Sequence, residues 1–190
     1  MNFEKDLADY AIKVSKAKYS EVRVEEEIKR VYILKNGKFE SSIEEKSKGM
    51  GIRVIENGAA FASITDLSKK KIKEALKEAI KEAKLSSSIA LSEEKAYKAN
   101  YKVVGDSPSE EKIKEFLLNL DSKVNLSWIK SRIFFLTETL TKKYFANSDG
   151  SKIYSEIQRF HLDYNLIAKD GNKIEQEISF LEALADGKIS

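Results

Sequence analysis

The sequence predicts an α+β fold: antiparallel sheet meanders with about three amphipathic helices packed on them. Three observations carry it. Five of the eight glycines follow Asn or Asp, as Asn36-Gly37, Asn57-Gly58, Asp149-Gly150, Asp170-Gly171 and Asp186-Gly187. Both members of such a pair tolerate the positive φ that two-residue hairpin turns require. Stretches that alternate apolar and polar residues flank these pairs, as strands with one wet face do. Three other stretches space their apolar residues at helical intervals.

Each element follows from its own pattern. Residues 3 to 17 carry Phe3, Leu7, Tyr10, Ala11, Val14 and Ala17 on one helical stripe. The period then changes to two in SEVRVEEEI, and β-branched residues continue through Val31 and Ile33, so a strand follows. Between Asn36-Gly37 and Asn57-Gly58 the pattern predicts a polar strand, about Lys38 to Lys46, and an apolar one from Gly51 to Glu56; Ala59 to Ile64 makes the next. That is a meander of about four strands. A second helix is expected after it, with Ile72, Ala75, Leu76, Ala79, Ile80 and Ala83 on its apolar stripe. Asp66 or Ser68 is its cap, and Glu74–Lys77 and Glu78–Lys81 are its charge pairs.

The chain from Ser86 to Tyr101 is unpatterned and is expected to cross between elements. Ser107-Pro108-Ser109-Glu110 reads as a helix start, with Ser107 and Glu110 as a capping box and Pro108 at the first helical position. Ile113, Phe116, Leu117, Leu120 and Val124 would be the buried stripe of this third helix. From Trp128 onward long strands are expected around the turn NSDG. In the second, Phe160, Leu162, Tyr164 and Leu166 alternate with His161, Asp163 and Asn165, and a further strand runs from Ile174 to Leu181. The 190 residues thus read as a single α+β unit, with sub-lobes at 1–90 (helix, meander, helix) and 100–190 (helix and long hairpins).

Composition removes several function classes. The 42% hydrophobic content, with nine Phe, eight Tyr and one Trp, is enough for a core. No apolar run approaches the roughly 18 residues of a membrane span, and MNFEKDLADY has neither the apolar stretch nor the basic lead of a secretion signal. A cytoplasmic protein with no membrane partner is expected. Zero cysteines exclude thiol chemistry and disulfides, and a single histidine, His161, leaves carboxylates as the only ligands available for a metal. The net charge of +3 is spread over interleaved Lys and Glu, and the five arginines are scattered, so no nucleic-acid partner is expected.

Single motifs read as architecture. Gly49-Met50-Gly51 could cradle a phosphate, but a strand, IRVI, follows it where a helix N-terminus would be needed. A bulge or tight bend between strands is the expected use of these glycines. His161 is a solvated strand residue, and Ser148 belongs to a turn. Glu25, Glu26, Glu27, Glu44 and Glu45 are solvated charges, because adjacent strand residues point to opposite faces. Trp128, Phe134 and Phe135 are expected in the core.

The order of the pieces says more. YSEVRVEE, a strand entering NGKFE, then KGMGIRVIENGAAFASITDLS and an Ala-rich helix, resembles the N-terminal domain of the TldD/PmbA family of metalloproteases, also described as gyrase modulators and peptide-maturation proteins. The likeness is strongest over 19–84 and returns at NSDGSKIYSEIQRFHLDYNLIAKDG; residues 86–144 match only in general pattern.

The resemblance implies a zinc protease whose HExxxH helix and further ligand lie in a later C-terminal domain. None of those residues has a counterpart here, so it implies no catalytic and no metal residue in this chain. Zinc is expected in the missing C-terminal domain or in a partner subunit. It further implies a homodimer, or a heterodimer with a TldD/PmbA-type subunit, around a cavity that admits unfolded peptide. This chain would shape that cavity and join the dimer, with Gly49, Gly51, Arg53 and Phe61 as the peptide-binding residues. A stand-alone binding or scaffold protein without protease activity is the alternative.

Overall fold

The computed structural model describes residues 4–89 and 95–185. Phe3 of the expected first helix and the expected Asp186-Gly187 turn lie outside them. The elements run α1 (Lys5–Val14), β1 (Tyr19–Lys35), β2 (Lys38–Ile55), β3 (Ala59–Ile64), α2 (Lys69–Leu85), β4 (Lys98–Val103), α3 (Glu110–Lys123), β5 (Ile129–Asn147), β6 (Lys152–Asp170) and β7 (Lys173–Leu184). Neighbouring strands follow the order β3-β2-β1-β5-β6-β4, and β7 pairs with β6. The β2–β3 and β6–β7 ladders are antiparallel. The α+β class is therefore the observed one.

Chain contacts divide the molecule into two compact units, each assembled from three separate segments. Unit 1 holds Met1–Glu27, Ser47–Lys102 and Thr141–Glu156; unit 2 holds Ile28–Lys46, Val103–Leu140 and Ile157–Ser190. In unit 1, α1 and α2 bury Ala8, Ala11, Ile72, Leu76 and Ala79 against Val22, Val24, Met50, Ile52, Val54 and Tyr144 of the strands. Full burial of residues the size of Ile72 or Leu76 contributes about 1.5–3 kcal/mol each. In unit 2, Ile113 and Leu117 of α3 pack on Tyr32, Leu34, Phe134, Leu136 and Leu162.

Several local expectations are corrected. The polar and apolar strands expected on either side of Gly49 are one strand, β2, which keeps a continuous register from Met50↔Ile64 to Ile55↔Ala59. Neither Gly49 nor Gly51 has positive φ, so they make no bend. Met50, Ile52 and Val54 all enter the core and hold the backbone extended through both glycines. Asn36 (φ 48°) and Gly37 (φ 76°) do form the expected two-residue turn. Gly171 (φ 56°) opens the two-residue link to β7.

Strand β4 begins inside the stretch read as a crossing, at Lys98, and runs past its end to Val103. Helix α1 ends at Val14, before Ala17, and buries Ala8 and Ala11. Helix α2 is capped by Ser68, whose Oγ accepts from the Lys71 amide, and its charge pair is Lys71–Glu74 at 2.8 Å, one turn earlier than expected. Helix α3 starts two residues later than expected: Ser109 caps it by accepting from Lys112 N, while Ser107 turns to a buried glutamate. Phe116 is exposed and Asp121 takes the buried place, forked by Arg132 at 2.8 and 3.3 Å. Phe134 is core but Phe135 and Trp128 are exposed; adjacent residues of a strand face opposite ways, so one of the Phe pair had to leave the core.

Candidate functional site

The expected site residues gather on the face of unit 1 turned away from its helices. Because Met50, Ile52 and Val54 of β2 are buried, Gly49, Gly51 and Arg53 point the other way. On β3, Ala60, Ala62 and Ile64 pack toward the core, which leaves Phe61 and Ser63 on the outer face. The register sets Arg53 opposite Phe61 and Gly51 opposite Ser63, so Phe61 and Gly51 are diagonal neighbours. A Cβ on Gly51 would meet Phe61 Cζ at 3.1 Å and Cε2 at 3.3 Å. The glycine is thus the seat of the aromatic ring. Gly49 faces the Ile64 carbonyl oxygen, 3.4 Å from where its Cβ would be.

Phe61 is 60% exposed and stands in a groove of about 610 Å³. Gly49, Gly51 and Ser63 share its lining, with Arg23, Glu25, Asp66 and Lys71 as its charges. The amide of Ser68 holds the Asp66 carboxyl below its ordinary range, and Glu74 raises the Lys71 ammonium. Both therefore stay charged at neutral pH. The groove offers an apolar ring flanked by fixed charges of both signs.

Of the four expected residues, Arg53 alone does not line the groove. It lies 3.7 Å from Glu21 Oε1, to which Arg23 comes within 3.1 Å. Glu21 is buried, accepts from the Tyr19 hydroxyl at 2.9 Å, and went unseen in the sequence because it alternates like its solvated neighbours. Burial first, and then Glu21 itself, raises the Tyr19 hydroxyl, which a hydrogen bond from Asn147 partly offsets.

The profile of PmbA/TldA metallopeptidase domain 1 matches residues 20–86, and that of the central domain matches 103–186. The chain belongs to the PmbA/TldD metallopeptidase family. A metalloprotease of Methanocaldococcus jannaschii is 29% identical over 168 residues, covering 83% of this chain and 37% of that protein. The crystal structure of TldE from Thermococcus kodakarensis superposes with a TM-score of 0.67 at 16% identity, over 94% of this chain and 42% of that one. A Thermotoga maritima structure, solved under the name of a DNA gyrase modulator, gives 0.73 at 14% identity, over 96% and 43%. At such identities the superpositions speak for the fold. The chain spans less than half the length of each of these relatives.

Among the described residues no three His, Cys, Asp or Glu side chains are grouped to hold a metal ion. His161 is half-buried, stacks on Phe180 with 5.3 Å between centroids, and has Nε2 3.0 Å from Asp163. Ser148 is a turn residue: its Oγ accepts from the Ser20 amide, and its own amide donates to Ser20 O. The acids Glu25 and Glu26 pair with Lys143 and Lys142, and Glu44 with Arg30 and Lys46. Lys46 and then Arg30 hold the Glu44 carboxyl down at about 2. No helix among the described residues is long and apolar enough to cross a membrane.

Unit 2 has a second feature missed in the sequence, the buried Glu138. Its Oε1 accepts from Ser107 Oγ at 2.6 Å and from Gln158 Nε2 at 2.5 Å, and its Oε2 from Arg30 at 3.3 Å. Gln158 Oε1 accepts from the Gly105 amide. Every member has partners, as a buried polar network needs. It fastens the start of the Ser107 segment to β5 and β6.

Proposed function

We propose that this chain is a non-catalytic part of a PmbA/TldD-type metallopeptidase that shapes the peptide cavity and contributes to the dimer. The zinc comes from a C-terminal domain or a partner subunit, and the setting is cytoplasmic. One observation carries the reading: the exposed Phe61 ring seated on Gly51, in a groove at the last strand of the order. Strand β3 has only β2 beside it among the described residues, so its outer edge can take an extended peptide by strand addition. The ring then meets a side chain of that peptide. Dimerisation is supported by Ile174, Ile178 and Phe180, which stand exposed on one face of β7.

The test mixes the purified chain with a zinc-bearing PmbA/TldD subunit and a fluorogenic unfolded peptide. Zinc-supplied chain alone should cleave nothing, and the mixture should cleave. Phe61→Ala should raise KM about fivefold with a smaller effect on kcat, as loss of a binding contact does. Cleavage by the chain alone overturns the reading, and so does failure to associate with any zinc-bearing family subunit.

A further inference from the structure

A second recess in unit 1 shares no lining residue with the Phe61 groove. It has a volume of about 470 Å³ and lies between the end of α1 and the flank of α2. Such a volume is within the roughly 300–1,000 Å³ of ligand clefts. Its floor is apolar, made by Val14, Leu76 and Ile80. Its rim is cationic, made by Lys16, Lys73, Lys77, Lys81 and Lys84.

Helix α2 carries seven lysines against three glutamates, so positive charge is in excess along this rim. None of the five lysines is in an ion pair among the described residues. The acids of α2, Glu74, Glu78 and Glu82, lie between the rim lysines in sequence, but the Glu74–Lys77 and Glu78–Lys81 pairs expected from their spacing are not formed among the described residues. Glu74 is already held by Lys71 at 2.8 Å. An ordinary solvated helix face alternates its signs along the stripe; here one sign continues from Lys73 to Lys84, roughly 16 Å at 1.5 Å per residue. That length equals about five residues of extended peptide.

We infer that this recess binds an acidic peptide segment that sets one aliphatic side chain on the Val14–Leu76–Ile80 floor while its carboxylates meet the lysine rim. The occupant follows from charge complementarity together with the floor. A nucleic acid would use the lysines and leave the floor empty, and Arg, the better fork for phosphate, is absent from the rim. A flat anionic membrane would not enter a concave recess. The inference is independent of the Phe61 groove and holds whether or not that groove takes peptide.

The test is a fluorescence-anisotropy titration of the full chain with a labelled peptide of alternating Glu and Asp around a central Leu. Binding should weaken at least tenfold between about 50 and about 300 mM salt, because exposed charges are screened over a few ångströms at the higher value. Lys77→Glu combined with Lys81→Glu should abolish it; both sites are exposed, and an unchanged circular dichroism spectrum shows that the helix persists. Exchanging the peptide's Leu for Ala should weaken binding about fivefold without touching the protein, consistent with roughly 1 kcal/mol for lost aliphatic burial. Unchanged binding in the double variant overturns the inference. So does indifference to the Leu exchange, or equal competition by a single-stranded oligonucleotide or by anionic phosphatidylserine vesicles. Phe61→Ala should leave this titration unmoved, which separates its failure from failure of the cavity reading.

Discussion

Gly58 has no positive φ, yet no other residue fits its place. A Cβ there would collide with the Ser87 carbonyl oxygen and come within 2.5 Å of Ser86 Cβ and 2.9 Å of the Ser86 carbonyl carbon. The chain leaving α2 lies directly on this glycine, and Gly58 N donates to Ala83 O at 2.9 Å. Backbone, unlike a long side chain, has nowhere to swing. Gly58→Ala should therefore destabilise the protein by about 1–3 kcal/mol, the usual range for overpacking, read as a lower urea midpoint with an unchanged slope. At Gly51 the clashing group is the exposed Phe61 ring, which can move, so the same change there disturbs the groove more than the fold. The positions of these glycines were legible in the sequence; their reason was not. Asn57-Gly58 looks like a hairpin turn and Gly49-Met50-Gly51 like a bend, while the groups that demand the missing side chain are contributed from Ser86 or from Phe61 across the strand.

At the scale of elements, periodicity located the three helices and most strands because burial on one face imposes it. Its failures have local causes. In Ser107-Pro108-Ser109-Glu110 two serines can both cap, and the pattern alone favours the first. Burial decides for the second, since Ser107 Oγ is engaged with Glu138 and Gln158. Ser109→Ala should cost about 0.5–2 kcal/mol and speed hydrogen exchange of the Lys112 amide at the first turn of α3. Ser107→Ala should leave that amide's relative protection in place; equal fraying in the two variants would contradict this assignment of the cap. Strand β4 escaped notice because all but two of its residues are exposed, so it carries no apolar alternation to read.

The whole molecule interleaves its segments. Unit 1 takes Thr141–Glu156 from a point about forty residues beyond the rest of it, and with them Tyr144 and Ala146 of its core. Tyr144 also donates to Asp9 of α1 at 3.0 Å, and Ser148 bridges to Ser20. A fragment of residues 1–102 contains the whole stretch matched as domain 1 but lacks this closing hairpin. It should show collapsed amide dispersion in a proton–nitrogen spectrum where the full chain shows a dispersed one; a native-like spectrum from the fragment would refute this view of unit 1.

The sequence by itself determined the α+β class, the stripes that helices and strands bury, the scarcity of metal ligands and, through the order of its motifs, the family. These are properties of neighbours a few residues apart, where helical and strand periods act. Only the tertiary structure decided that Phe61 sits on Gly51 while Arg53 turns to a buried Glu21, that Glu138 and Asp121 are buried with partners, and that five lysines ring one apolar floor. Each of those depends on groups brought together from separate elements, and even the lysine stripe of α2 becomes a recess only where Val14 and Lys16 meet it. Burial and pairing are fixed by where strands register and helices dock, and no local spacing encodes that.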